Sequence, residues 1–434
     1  MDFSRSRELG AKLQKLVPGG AHTYAKGSDQ YPELAPAVMA RGSGCHVWDV
    51  DGNEFIEYGM GLRAVTLGHA YPPVVEAVRA SLSLGNNFTR PSLIELECAA
   101  AFLELIDGAD MVKFTKDGST ATSAALKLAR AYTGREDVAI CAEHPFFSYD
   151  DWFFVTTTMD GGIPKWAYEQ TVTFKYNDLE SLRARFKERP GKIAAVFLEP
   201  ARLEDPAPGY LQAVKDLCKA EGAVLVFDET ITGFRWHNQG AQKLYGVVPD
   251  LSVFGKALAN GFSLSALCGK RDLMRLGSKE RPQDNVFLLS TTHGAETPSM
   301  AAGLAVMKIY KTEPIVETLH RQGTRLATGV RQVVERRGLG KQISVVGRPC
   351  NLFYGTSDGD GKPSQAFRSL FLQEIIKRGV IGPSFVVSVS HSDADIDRTV
   401  EAVDGALEVY ARALSDGVEK HLVGQPSRYV FDRR

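Results

Sequence analysis

Apolar positions along this chain recur with two different periods, and the places where the period changes mark its parts. Residues 4–16 repeat at helical spacing and stop at Pro18-Gly19-Gly20, a short amphipathic helix with a hard end. Residues 21–45 are rich in Gly, Pro and polar groups, including Lys26-Gly-Ser-Asp-Gln-Tyr-Pro32, and read as a long loop of the kind that binds something or packs on a partner. Two short alternating runs around Asp51-Gly52, from His46 to Tyr58, predict a hairpin. Helical periodicity returns at 73–84 and 91–107. From residue 110 onward, strand-like runs at 111–114, 137–141, 171–174, 193–198, 223–227 and 251–254 alternate with helical stretches such as 120–133, 179–188 and 209–221.

That alternation predicts an α/β fold with a mostly parallel sheet covered on both faces. A long helical stretch at 298–338 follows, then strand-like runs at 342–345, 352–354 and 386–389, and an amphipathic helix from Ser392 to about Leu414. The tail therefore reads as a small α+β domain that packs with the N-terminal segment. The expected division is 1–70 for the N-terminal segment and part of the small domain, 71–320 for the large domain, and 321–434 for the rest of the small domain. A chain of 434 residues, 44% of them hydrophobic, is too long for one compact sheet without such a second domain.

A net charge of −1 offers no global field for nucleic acid or an anionic membrane surface. No run approaches the roughly 18 uninterrupted apolar residues of a membrane span, and the N-terminus has no apolar targeting core, so a soluble cytoplasmic protein is expected. The six cysteines form no CxxC pair and fall mostly in apolar runs, which suits reduced core thiols. The nine histidines lack metal-ligand spacing, and no metal is expected.

The candidate chemistry lies at two strand ends. Val224-Leu-Val-Phe-Asp228 closes one apolar run on an acid, and Leu251-Ser-Val-Phe-Gly255-Lys256 carries an amine just past the next. An acid and an amine delivered into one crevice is what pyridoxal phosphate (PLP) chemistry requires, the Lys as Schiff base and the Asp to keep the pyridine nitrogen protonated. A buried strand-end Asp beside a surface Lys that opens a helix is the plain alternative. Asp117-Gly118-Ser119-Thr120 follows the strand at 111–114 and opens a helix, which presents N–H groups and a positive dipole end to a phosphate, or is simply an N-cap.

Taken in order, Gly118-Ser119-Thr120, Arg130-Ala-Tyr-Thr-Gly-Arg135, Glu199-Pro200, Asp228-Glu229-Thr-Ile-Thr-Gly-Phe-Arg235 and Gly255-Lys256 resemble the class III (ω-type) PLP-dependent aminotransferases. Trp48-Asp-Val-Asp-Gly-Asn53, Leu67-Gly-His-Ala70 and His391-Ser-Asp-Ala-Asp-Ile-Asp397 extend the likeness to nearly the whole chain. Val17-Pro-Gly-Gly20 and the region from Val380 to Asp397 are most similar to glutamate-1-semialdehyde 2,1-aminomutases. The resemblance implies a PLP-dependent transferase of fold type I working as a homodimer with shared active sites. It implies Lys256 and Asp228 as catalytic residues, and Gly118, Ser119 and Thr120 as the phosphate site, although the family has an acid at the place of Thr120. It implies Phe146, with Phe147 second, as the ring stacked on the cofactor, Glu199 near the ring hydroxyl, and Thr292 as a phosphate contact of the neighbouring subunit.

The likeness thins around the substrate. Where such aminomutases carry a carboxylate-binding Arg after Pro-Gly-Gly, this chain has Thr23-Tyr-Ala-Lys26, a point charge in place of a bidentate fork. The segment Gly382–Ser388 is shortened and holds no acid, and Arg63 stands where small or aromatic residues are usual. Lys26 and Arg63 are thus candidate substrate contacts or, on the plain view, surface or interface charges. The expected activity is transfer of an amino group from an amino-acid donor to a small aldehyde or ketone, with a polyhydroxylated, sugar-like acceptor as a candidate. The alternatives are the 2,1-aminomutase itself and a catalytically silent PLP-binding protein.

Overall fold

A computed structural model of the chain describes residues 1–282 and 284–431. Two compact units emerge: a terminal unit of Met1–Tyr71 with Glu317–Val430, and a central unit of Pro72–Val316 joined by Phe431.

The terminal unit opens with the expected helix, Ser4–Leu16. Strands β1 (Met39–Ser43), β2 (His46–Asp49) and β3 (Glu54–Glu57) follow, each antiparallel to the next. The predicted hairpin is β2–β3. Its turn is built by the Asp49 carboxylate, which accepts from the N–H groups of Asp51 (3.0 Å) and Asn53 (2.8 Å), while Gly52 takes φ +90°. Strand β1 lies in what the sequence suggests is loop. It is exposed along almost its whole length, so no apolar alternation announces it.

The central unit is a seven-stranded sheet. Its strands are β4 (Met111–Thr115), β5 (Asp137–Cys141), β6 (Thr171–Phe174), β7 (Ile193–Leu198), β8 (Val224–Asp228), β9 (Leu251–Phe254) and β10 (Ser265–Gly269), in the order β4-β10-β9-β8-β7-β5-β6. Pairs from β6 to β9 are parallel, whereas β10 runs antiparallel to both β9 and β4. All six sequence-predicted strands of this region are present. The seventh, β10, follows β9 too closely for a helical crossover, and an antiparallel return needs none.

Alternation along the strands sorts side chains to two faces. Phe197, Val226, Val253 and Leu267 pack with Ala121, Ala125 and Leu128 of the helix Gly118–Thr133. Val196, Leu198, Leu225 and Phe227 pack with Leu182 and Phe186 of Leu179–Glu188 and with Leu211 and Val214 of Tyr210–Glu221. The expected stretch at 298–338 is two helices, Thr297–Thr312 and Ile315–Arg336. Pro314 forces the residue before it out of the helical region, and Glu313 is extended at φ −124°, ψ 148°.

The rest of the terminal unit adds β11 (Ile343–Val346) paired antiparallel with β12 (Phe353–Thr356), and β13 (Val380–Ile381) paired parallel with β3. The run expected as a strand at 386–389 is not one. Val386 and Val387 are buried, but the segment makes single backbone bonds to Tyr58 and Thr66 instead of a ladder. The helix Asp393–Asp416 starts where Ser392 caps it, with Asp395 completing a capping box. All six cysteines are free and buried. Among the described residues, no helix is long and apolar enough to cross a membrane.

Candidate active site

Two positions beyond Phe197 and Val226, the alternation carries Glu199 and Asp228 toward the face that holds the helix Gly118–Thr133. Leu198 sits opposite Phe227 in the β7–β8 register, so the two acids leave adjacent parallel strands at the same edge. Asp228 in turn lies opposite Val253 of β9, and Lys256 follows that strand after Gly255. The carboxyl edge of β7, β8 and β9 therefore gathers Glu199, Asp228 and Lys256, the place where open parallel sheets bind ligands.

Asp228 is buried and its Oδ1 accepts the Thr230 N–H at 2.9 Å. Burial pushes its carboxyl above the usual range, opposed by hydrogen bonding from Thr230 and by the nearby Lys256 charge. Lys256 is partly buried and holds φ +45°, a left-handed conformation uncommon for a residue with a long side chain. Gly255 makes this approach possible: a Cβ there would fall 2.5 Å from Ser265 Oγ and 3.2 Å from Thr230 Cγ2.

The helix opens at Gly118, two residues earlier than the sequence suggests. Asp117 caps it, accepting the Thr120 N–H at 2.7 Å. Gly118 and Ser119 are thus the first two helical residues, whose N–H groups point out of the helix end. A Cβ on Gly118 would lie 3.0 Å from Thr230 Oγ1. Thr230 therefore occupies the side on which both Gly118 and Gly255 would project a Cβ, while its N–H holds Asp228, which sets the expected phosphate cup beside the acid–amine pair. Thr120 differs from the expectation in one respect. Its hydroxyl is engaged by both Asp117 oxygens (2.9 Å each) and by Tyr149 OH (2.8 Å).

The two candidate aromatics separate. Phe147 is fully buried in the core, edge-on to Phe153 and Phe197, so its faces are spent on packing. Phe146 is 42% exposed and remains the ring available for stacking. Glu199 is buried, and its N–H donates to Nδ1 of buried His144 at 2.9 Å. Arg202 donates to the Glu143 carbonyl at 2.9 Å, and burial lowers its pKa against the opposing charge of Glu199. Thr292 is exposed, with Asn87 Nδ2 donating to its carbonyl at 3.2 Å. Among the described residues no hydrogen bond joins it to this cluster.

The remaining two candidates belong to the terminal unit. Lys26 closes a short 3₁₀ turn and borders a concave, largely apolar pocket of about 440 Å³, whose polar groups include Tyr31, Arg41, Glu57 and His69. Arg63 ends a run of four left-handed residues, Met60 to Arg63. Its Nε donates to Asn351 Oδ1 at 2.8 Å, a second nitrogen donates to Ser384 Oγ at 3.2 Å, and the guanidinium lies 4.7 Å from the Phe353 ring centroid.

Thr230, His144, Tyr149 and Arg202 are not among the residues the sequence singles out. Thr230 had a usable signal, being the residue after Asp228-Glu229 with two glycines positioned to approach it. The others depend on loop paths that no periodicity encodes.

Comparison with known proteins agrees with this geometry. A family model described as aminotransferase class-III matches residues 26–381. The glutamate-1-semialdehyde 2,1-aminomutase of Desulforudis audaxviator (strain MP104C) is 35% identical over 433 residues, covering 93% of this chain and 98% of that protein. Among solved structures, the FumI protein of Sphingopyxis sp. MTA144 in its PLP internal aldimine form is 29% identical at a TM-score of 0.86, covering 98% of this chain and 99% of that one. An omega-transaminase from Sphaerobacter thermophilus is 26% identical at a TM-score of 0.84, covering 94% and 98%. The chain belongs to the class-III aminotransferase family, with the α/β architecture of PLP-dependent transferases.

Proposed function

We propose that the protein is a PLP-dependent aminotransferase that moves an amino group from an amino-acid donor to a small polar aldehyde or ketone. The observation that carries this reading is the shared edge of Asp228 and Lys256 on neighbouring strands, joined through Thr230 to the open end of a helix. The residues fit the cofactor. Glycines stand at 118 and 255 where a Cβ would press on Thr230 or Ser265, and the buried Asp228 carboxylate lies within reach of the Lys256 charge.

Gly118 and Ser119 would hold the phosphate through backbone N–H groups, with Thr120 beside them, and Phe146 would cover the ring. Glu199 would stand near the ring hydroxyl. When bound, PLP supplies a ring able to accept the electron pair left on the substrate carbon. Asp228 would keep the ring nitrogen protonated, a task suited to a charge in a dry site. Lys256 would anchor the cofactor and then move one proton, taking it at Nζ from the carbon that bears the amine and returning it to the neighbouring position. Lys26 and Arg63 are the candidate contacts for a donor carboxylate or polar acceptor. For Arg63, the support is a guanidinium already oriented by Asn351, Ser384 and Phe353. Thr292, exposed on this chain, is assigned to the phosphate of a second copy in a homodimer.

The second reading, glutamate-1-semialdehyde 2,1-aminomutase, is favoured by the names of relatives at 30–35% identity. Against it stand Lys26 at the place of the expected carboxylate-binding Arg and the lack of any acid in Gly382–Ser388. An ammonium orients a carboxylate less firmly than a guanidinium fork. The deciding experiment offers purified enzyme glutamate 1-semialdehyde with and without an added amino donor such as glutamate. Turnover of carbonyl substrates that requires the donor and releases its keto acid is expected. Rapid donor-independent formation of 5-aminolevulinate would overturn the aminotransferase reading in favour of the mutase.

A further inference from the structure

Cys45, His46 and Asp395, in the terminal unit, place a sulfur, a ring nitrogen and a carboxylate oxygen all within 4.8 Å of one another. His46 opens β2 with Cys45 just before it, and Asp395 lies in the first turn of the helix Asp393–Asp416. Cys45 Sγ is 3.5 Å from Asp395 Oδ2, and His46 Nε2 is 3.1 Å from Asp395 Oδ1. The second ring nitrogen, Nδ1, is 2.8 Å from Glu54 Oε1.

The imidazole is thus held between two carboxylates. A cation bound at Nε2 would leave Nδ1 facing Glu54. A carboxylate behind a ligating histidine is the usual outer partner of a metal site. Tetrahedral zinc with bonds of about 2.3 Å to sulfur and about 2.0–2.1 Å to nitrogen and oxygen puts S···O near 3.5 Å and N···O near 3.3 Å. The observed separations are 3.5 and 3.1 Å, measured to the two oxygens of one carboxylate, so Asp395 faces both partners at once while its Oδ2 also accepts the Ser392 N–H at 2.9 Å and hydroxyl at 2.6 Å.

We propose that Cys45, His46 and Asp395 form a zinc(II) site that clips the N-terminal hairpin to the start of the C-terminal helix. Thiolate, neutral imidazole and carboxylate around Zn²⁺ sum to zero charge, which suits a group as buried as Cys45, 1% exposed. Binding displaces the thiol proton to solvent, and water fills the fourth position. Without metal, burial and the Asp395 charge raise the Cys45 pKa and keep the thiol protonated. The clip closes a chain loop of about 350 residues, Cys45 to Asp395, so its effect falls on the terminal unit and not on the chemistry at Lys256.

The test uses the PLP-loaded enzyme equilibrated with Zn²⁺ and desalted, with bound metal measured by atomic emission. About one zinc per chain is expected in the wild type, and at least a tenfold loss in Cys45→Ser and in His46→Gln. The thermal midpoint should rise with zinc in the wild type alone. Cofactor absorbance checks that each variant is folded. Should both variants misfold, the wild type decides alone: with Co²⁺ it should show a thiolate-to-metal charge-transfer band. Absence of that band, absence of retained zinc, or equal retention by the folded variants would overturn the proposal.

Discussion

Glu229 gives the sharpest quantitative prediction. It follows Asp228 directly, is fully buried, and accepts the N–H groups of Ala241 (2.8 Å) and Gln242 (2.6 Å) and the Thr232 hydroxyl. Burial raises its carboxyl from an ordinary 4.5 to about 7, against the lowering effect of those hydrogen bonds and with a further upward push from the Asp228 charge. Below pH 4.5 the group is protonated in both folded and unfolded chains. Between 4.5 and 7 the unfolded chain has lost the proton while the folded one keeps it, so each pH unit favours unfolding by about 1.4 kcal/mol. Above 7 both are ionised, and a penalty of roughly 3 kcal/mol stays constant. Glu229→Gln removes the titration and adds a fixed penalty for the weaker acceptor. The informative quantity is therefore the stability difference between variant and wild type at each pH, measured by urea unfolding at matched protein concentration. Moving from pH 4.5 to 7.5, that difference should shift by roughly 3 kcal/mol in favour of the variant. A difference that stays flat to within about 0.5 kcal/mol would refute the buried-carboxyl reasoning.

Three further outcomes follow from the site. Asp228→Asn should lower kcat by about 10²-fold or more while the cofactor stays bound, measured by steady-state kinetics and cofactor absorbance. Gly255→Ala should lose about 1–3 kcal/mol of stability, because the added methyl meets Ser265 Oγ at 2.5 Å; combining it with Ser265→Ala should recover most of the thermal midpoint. Phe147→Ala should cost about 3–5 kcal/mol in denaturant unfolding, whereas Phe146→Ala should leave stability within about 1.5 kcal/mol and instead speed cofactor loss on dialysis.

The parts of the fold that were legible are those whose burial writes a period into the sequence. Strands β5, β7, β8 and β9 are buried along their whole lengths and appear as continuous apolar runs. Strand β1 left no such trace because its side chains face solvent, and the buried 386–389 run left a false one because burial without a ladder looks alike. Asp228, Lys256 and the Gly118 helix start were readable because strand and helix ends have positional chemistry. The Thr120 hydroxyl was not, since its commitment to Asp117 and Tyr149 depends on a loop thirty residues on. The Cys45–His46–Asp395 group was equally hidden, because Asp395 lies 349 residues beyond His46.

The pairing of β3 with β13 also fixes a sequence of events during synthesis. Ile56 meets Val380, a partner translated about 320 residues later. At roughly 5–20 residues per second, β3 waits about 15–65 s on the ribosome for its neighbour. The central sheet has all seven of its strands by Gly269 and can settle during that interval. Until the last hundred residues emerge, the edge of β3 that β13 will cover is an open hydrogen-bonding template on an unfinished unit. Slow elongation or truncation near residue 380 should therefore yield chains whose central sheet is complete but whose terminal unit recruits chaperones or aggregates.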